Sequence, residues 1–198
     1  MAPDGPPAGD TRAQIMTGVR SALAKHGYAD LTTQKVAAET TVSEAGLFYH
    51  YDSKDELIAA FVDACADGLS ERFTDLPSDP VERLYAVCDV LLAVDGGDET
   101  RGLNVAFMEL LSHAPYNETL EEPLRDYEQF VLDEVADVVR AGVDAGVFEP
   151  VDPEATAAYI VATCDGTTGF GIALEMDTPA EAVRERLFDY LDTVVVAD

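Results

Sequence analysis

The chain is short of positive charge: against 39 Asp and Glu it has only 12 Lys and Arg, a formal net charge of −27. Such an excess of acid, taken alone, argues against nucleic acid as a partner, because polyanions repel. It does not mark a disordered tail, which combines charge with few apolar residues, since 47% of the chain is hydrophobic. Long apolar runs are missing too. No stretch reaches the ~18 consecutive apolar residues of a membrane span, so no membrane partner is expected. Met1-Ala2-Pro3-Asp4-Gly5-Pro6-Pro7-Ala8-Gly9-Asp10 lacks the basic and apolar parts of a signal peptide and reads as a flexible arm. Cysteine is scarce: Cys65, Cys88 and Cys164 are odd in number and share no CxxC pair. That excludes a full disulfide framework and a zinc ribbon, and fits free thiols in a reducing cytoplasm. No nucleophile–base arrangement, glycine-rich phosphate loop or paired-carboxylate site is recognisable, so neither an enzyme nor a cofactor is expected.

What is present is unevenly placed. All the lysines (Lys25, Lys35 and Lys54) lie in the first 54 of 198 residues. In the window 11–54 they join Arg12 and Arg20 against Asp30, Glu39, Glu44 and Asp52, a net +1 that leaves −28 for the remainder. A near-neutral block on a strongly acidic body suggests two different jobs. Chance clustering of so few lysines is the bland alternative.

Apolar residues recur at helical spacing, with no sustained alternation of period two. Ile15, Val19, Ala22, Leu23 and His26 mark one face of a first helix, which Gly27 can end in a left-handed conformation. Val81, Leu84, Tyr85, Cys88, Leu91 and Leu92 repeat the pattern, as do Leu103, Phe107, Leu110, Leu111 and Ala114. A longer helix is expected from about Leu120 to Ala145, frayed by Gly142 and Gly146. Asp79-Pro80-Val81-Glu82 and Thr178-Pro179-Ala180-Glu181 place a capping oxygen, then proline at the first helical position, then Glu at the third. Asp152-Pro153 lacks only the Glu, and Ser53-Lys54-Asp55-Glu56 is a further capping box. The prediction is an all-α chain of about nine helices.

Between the first two longer helices lies a compact unit. Thr32 caps a short helix with Val36 and Ala37 inward; Glu39-Thr40-Thr41-Val42 turns; Ser43 caps a second short helix bearing Gly46, Leu47, Phe48, Tyr49 and His50. Two short helices about four residues apart make a helix-turn-helix, whose second helix can enter the DNA major groove. Leu47 and Phe48 are expected to face the core, with Glu44, Ala45 and Gly46 at the exposed end where bases are read.

Three stretches here, Leu31-Thr32-Thr33-Gln34-Lys35-Val36-Ala37, Val42-Ser43 and Leu47-Phe48-Tyr49-His50-Tyr51-Asp52-Ser53-Lys54-Asp55-Glu56-Leu57, resemble the TetR (tetracycline-repressor, AcrR-type) family of transcriptional regulators. In the body, Gly146-Val147-Phe148, Asp152-Pro153-Glu154 and Asp165-Gly166 are similar to the ligand-binding half of such regulators, betaine-synthesis repressors among them. The resemblance implies an arm at 1–10, a three-helix DNA-binding domain at 11–53, and a helical ligand-binding and dimerisation domain at 54–198. It implies that Thr33, Gln34 and Lys54 approach phosphates, that Tyr49 and His50 flank the backbone, and that Lys35, Ser43 and Phe48 share the interface. Glu44, Ala45 and Gly46 would face base edges. Thr41 stands where the family usually has glycine, Phe48 where it commonly has a phosphate-bonding tyrosine, and Glu44 where a basic or amide side chain is frequent. Glu44 could accept a hydrogen bond from cytosine N4, or simply point to solvent near a helix N-terminus.

The same resemblance pairs the last two helices with their copies, through Ala162, Gly166, Gly169, Val183, Leu187, Tyr190, Leu191 and Val194. The alternative for each is packing within its own chain. Phe107, Met108, Leu111, Tyr116, Tyr127, Phe130, Thr163 and Phe170 are candidate lining for an effector pocket, and an acidic, aromatic cavity would suit a cationic ligand. Glu109 and His113 are four apart on one helix. With only three histidines in the chain they read as a polar pair rimming a cavity rather than a metal site.

The function implied is an effector-responsive homodimeric regulator on a palindromic double-stranded operator, most simply a repressor, with an unknown small-molecule effector. The helix from Lys54 to about Phe73 would be the transmitter between its parts. Other readings are a ligand-binding or interaction protein with a vestigial head, or an all-α enzyme around Glu109 and His113. The acid-rich, lysine-poor surface resembles that of halophilic prokaryotes with salt in the cytoplasm, which assigns the charge to solvation rather than to repulsion of DNA.

Overall fold

The computed structural model describes the backbone of residues 8–92, 98–173 and 180–197, and the side chains of residues 11–92, 100–169 and 181–197. Among these residues the chain is all-α, with nine α-helices: α1 (Ala8–His26), α2 (Thr33–Ala38), α3 (Glu44–His50), α4 (Lys54–Thr74), α5 (Pro80–Leu92), α6 (Asp98–His113), α7 (Glu118–Ala145), α8 (Pro153–Ala173) and α9 (Ala180–Tyr190). A 3₁₀ turn, Ala114–Tyr116, precedes α7, and a π-helical turn, Leu191–Val195, follows α9. The Thr178-Pro179 start signal lies outside the described residues. No described helix is long and apolar enough to cross a membrane.

Helix starts follow the sequence signals. Asp79 Oδ1 accepts from Val81 N and Glu82 N at 3.0 Å each, and Asp152 Oδ1 from Ala155 N at 2.9 Å. Ser53 Oγ accepts from Glu56 N at 3.1 Å, but the returning Glu56 carboxylate meets Asp52 N, one residue before the cap, at 2.9 Å. α1 begins at Ala8, so its first turn occupies the end of the expected arm. His26, placed by period on the inward face, is exposed.

The chain forms two compact units, residues 1–65 with 97–124 and residues 66–96 with 125–198, so α4 and α7 contribute to both. In the first, α6 packs against α1 at backbone distance. A Cβ on Gly102 would lie 2.2 Å from the Ala24 carbonyl oxygen. In the second, Phe73, Leu84, Val87, Cys88, Val135, Val139, Ile160, Cys164, Leu187 and Leu191 form one buried core. Arg184 clasps Asp89 with two hydrogen bonds of 2.5 and 2.9 Å, tying α9 to α5. α7 ends in a Schellman motif rather than by fraying: Gly146 takes φ +72°, its N–H donates to Val143 O, and Val147 N–H to Gly142 O, each at 3.0 Å. Gly142 stays helical, and Phe148 folds back onto it so closely that a Cβ there would meet the ring at 2.0 Å.

Candidate nucleic-acid interface

The short helices are held by their own caps and by α1. Thr32 Oγ1 accepts from Lys35 N and Ser43 Oγ from Gly46 N, both at 3.2 Å, so each cap satisfies an amide its helix leaves unpaired. Only Val36 on α2 and Leu47 on α3 are fully buried. The turn between them is stitched to α1. Thr41 Oγ1 meets Gln14 Oε1 at 2.6 Å, and Glu39 Oε2 accepts from Ser21 Oγ at 2.9 Å and Lys25 Nζ at 2.5 Å. Those bonds, Lys25 first and Ser21 second, hold the Glu39 carboxyl below the usual carboxylate range.

With one anchor, α3 leaves most of its surface outward. Ser43, Glu44, Ala45, Tyr49 and His50 are exposed, Gly46 is half-buried, and Tyr49 reaches 85%. Phe48 departs from expectation: it is 50% exposed, while Leu47 beside it is 1%. Adjacent helical positions differ by about 100° in direction, so two neighbouring apolar residues cannot both point at one narrow core. Gln34 is exposed, and Thr33, Lys35 and Lys54 are half-buried.

Several polar candidates have internal partners. Thr33 Oγ1 donates to Glu44 Oε1 at 2.7 Å, so the exposed carboxylate joins α2 to α3. Lys35 Nζ donates to Asp30 O at 2.8 Å. Lys54 Nζ donates to Tyr28 O at 3.3 Å and sits 4.1 Å over the Tyr28 ring.

Tyr28, which sequence reasoning missed, is the hub of this unit. Gly27 ends α1 at φ +67°, its N–H donating to Leu23 O at 2.8 Å. The next two amides turn onto Glu109 Oε2: Tyr28 N at 2.5 Å and Ala29 N at 3.2 Å. The Tyr28 hydroxyl donates to Asp55 Oδ1 at 2.9 Å, Asn117 Nδ2 donates to Asp55 Oδ2 at 2.9 Å, and His113 meets the Tyr28 ring edge-on at 5.1 Å. Burial first, and the Asp55 bond second, push the phenol up to about 12. Glu109 and His113 therefore brace the end of α1. Among the described residues no group of three or more metal-ligating side chains is present.

Residues 15–61, which include α2 and α3, match the family described as bacterial regulatory proteins, tetR family. Residues 80–196, more than half the chain, match the BetI-type transcriptional repressor C-terminal family. The chain belongs to the TetR family. A TetR transcription regulator from Haloarcula marismortui shares 33% identity over 94% of this chain and 99% of that one, with a TM-score of 0.84. A transcriptional regulator from Saccharomonospora viridis, solved in complex with choline, has the same fold at 20% identity, covering 96% and 100% of the two chains, with a TM-score of 0.82. FadR from Bacillus subtilis, solved with stearoyl-CoA, has it at 16% identity, 91% and 97% coverage and a TM-score of 0.71. No curated protein matches the sequence. The protein is thus a DNA-binding transcriptional regulator.

In this TetR regulator the candidate body residues divide by burial. Tyr127 and Phe130 pack on the second unit's core, where Phe130 stacks on Phe73 at 6.4 Å. Thr163 is half-buried and donates to Tyr159 O at 2.7 Å. Phe107 is half-buried, Met108 and Leu111 are exposed, and Tyr116 at 89% lines no enclosed space. The side chain of Phe170 lies outside the described residues. Of the interface candidates, Leu187, Leu191 and Gly169 are buried within their own chain, the first two as part of its core. Ala162 and Val194 are exposed, Gly166, Val183 and Tyr190 half-buried, and a Cβ at Gly166 would meet nothing within 4 Å. Tyr159, 50% exposed and 4.7 Å from the Tyr190 ring, shares the outward face of Ala162. Its place three residues before Ala162 was the available signal.

Glu128 on α7 is the unusual acid of the body: burial, and then the charge of Asp165, push it up to about 7. Asp165 on α8 is itself raised by burial. Because the folded value of Glu128 lies above its ordinary one of 4.5, its stabilising effect is present below about pH 4.5 and is lost as pH rises towards 7. Glu128→Gln is therefore expected to raise the melting temperature at pH 8 and leave it nearly unchanged at pH 4.5. Thermal unfolding of the two proteins across that range checks this.

Proposed function

We propose that the protein is a cytoplasmic homodimeric repressor, with residues 11–53 as the DNA-binding head and 54–198 as the effector-binding and dimerisation body. The observation that carries the head's role is α3 itself, held by one buried residue and otherwise turned outward, at the position where a helix-turn-helix presents its reading helix. Ala45, Gly46, Phe48 and Tyr49 face the major groove, with His50 and Gln34 beside the backbone. Thr33 and Glu44 hold the two short helices in register, while Lys35 and Lys54 meet phosphate only by sharing an ammonium that already has an internal partner. Ala162, Gly166, Val183, Tyr190 and Val194, with Tyr159, form the face that pairs with a second copy, giving the two heads that a palindromic operator requires.

Retarded migration of a fragment from upstream of the protein's own gene tests the head. Tyr49→Ala, at a side chain too exposed to matter for folding, is expected to weaken retardation roughly tenfold or more while leaving thermal unfolding unchanged. Unretarded DNA at every salt concentration would favour the vestigial-head reading.

The effector is a small cation of the quaternary ammonium class. The BetI-type match, the choline-bound neighbour and the raised carboxyls of Glu128 and Asp165 support this choice. A cation beside Glu128 would favour its ionised form and offset the cost of burying it. Choline is expected to raise the melting temperature of the wild type and to do so less in Glu128→Gln. A shift with acyl-CoA and none with choline would reverse the assignment. Ligand binding would then favour a state whose heads no longer match the operator spacing.

A further inference from the structure

We propose that α3 recognises its operator chiefly through thymine methyl groups, packed against Ala45, Phe48 and Tyr49. The inference rests on α3 being the reading helix and names the chemistry it reads. The polar options on that face are few. The one carboxylate of α3, Glu44, accepts the Thr33 hydroxyl at 2.7 Å. Ser43 Oγ caps α3 through Gly46 N. The His50 ring lies between its neighbours, 5.2 Å from Tyr49 and 6.4 Å from Tyr51.

Nor do the lysines compensate. Lys25 is paired with Glu39, Lys35 with Asp30 O, and Lys54 with Tyr28 O and its ring. Beside the exposed Glu44 and His50, α3 shows outward a methyl group and two aromatic rings. They stand at positions 45, 48 and 49, spacings of three and four that share one helix face. The C5-methyl of thymine is the apolar feature of the major groove, and alanine methyls and phenylalanine rings are its usual contacts. Phe48, with no hydroxyl to reach a phosphate, is suited to that contact and to little else in a polar groove.

The chemistry also fits a chain carrying −27. Phosphate contacts release counterions and weaken steeply with salt, whereas burial of methyl groups does not depend on ion pairing. Operator affinity is therefore expected to fall only shallowly as salt rises. A loss of roughly 10³-fold or more between about 50 and 200 mM, the mark of ~6–10 phosphate contacts, contradicts the proposal.

The deciding experiment uses the full chain to select an operator from random duplexes, then compares it with the same duplex carrying uracil for thymine in each half-site. Uracil removes the C5-methyl and nothing else. The wild type is expected to lose about fourfold in affinity per contacted methyl, or roughly fifteenfold for one symmetric pair. Phe48→Ala should bind the thymine operator more weakly and lose most of the discrimination. Equal affinity of the wild type for both duplexes, or equal discrimination by wild type and Phe48→Ala, overturns the inference. Failure to select any duplex would instead remove the DNA-reading head on which it rests, a distinct result.

Discussion

Gly102→Ala is expected to destabilise the first unit by about 3 kcal/mol, although glycine to alanine within a helix ordinarily adds stability. In an open helical position the change contributes up to ~1 kcal/mol, by better propensity and a less free unfolded chain. At Gly102 the new methyl would lie 2.2 Å from the Ala24 oxygen and 2.8 Å from the Ala24 carbonyl carbon and Cα. Those are backbone atoms of α1, which no rotamer change can move, so the two helices must separate. Overpacking of this kind costs ~1–3 kcal/mol and occasionally more, enough to outweigh the propensity gain. Gly68, within α4, provides the contrast: nothing lies within 4 Å of its added Cβ. Gly68→Ala should stabilise by roughly 0.5–1 kcal/mol. Denaturant unfolding of the two variants beside wild type measures both. A neutral Gly102→Ala would mean that α1 and α6 do not touch along their backbones.

Glu109→Ala is expected to cost about 2–3 kcal/mol and to weaken DNA binding without touching DNA. Its carboxylate accepts from the amides of Tyr28 and Ala29. Removing the acceptor leaves the part-buried Tyr28 amide without its partner, while the exposed Ala29 amide can turn to water, and hydrogen bonds to charged groups are the stronger kind. Tyr28 in turn holds Lys54 and Asp55 at the start of α4, next to α3. Glu109→Gln keeps an oxygen acceptor and should recover a good part of the loss. Hydrogen exchange at Tyr28 and Ala29, expected to quicken in Glu109→Ala and much less in Glu109→Gln, locates the effect. If the alanine variant kept full stability but purified with less bound metal than wild type, the bracing role would be wrong.

How much of this could be read from residues alone follows the range of the interaction. Thr32, Ser43, Asp79 and Asp152 act on amides two or three residues ahead, so cap chemistry located those helix starts. Gly27 was legible as a left-handed helix end for the same reason, whereas Gly146, expected only to fray α7, also takes that conformation. Gly142 was not, because its partner is a ring six residues on that packs back only once the turn has formed. Phe48 and Leu47 show the limit of periodicity. A six- or seven-residue helix with two adjacent apolar residues does not declare which one the core will take.

Glu109 and His113 show a second limit. Spacing put them on one helix face, and only the fold says that the face meets the end of α1, 81 residues away for the Glu109–Tyr28 bond. Leu187 and Leu191 show a third, since a helical stripe looks the same whether its partner is the same chain or a copy. Burial assigned both to the chain's own core and left Tyr159, Ala162 and Val194 outside.

By itself, then, the sequence determined the all-helical class, the capped helix-turn-helix, the family and the separation of a near-neutral head from an acidic body. These rest on local hydrogen bonds, period and composition. Tertiary structure alone decided which polar groups remain available to a partner: Glu44, Lys35, Lys54 and Glu109 find theirs inside the chain. The reason is physical. Periodicity specifies a direction around one helix, but a side chain's partner depends on what the rest of the chain brings to that direction.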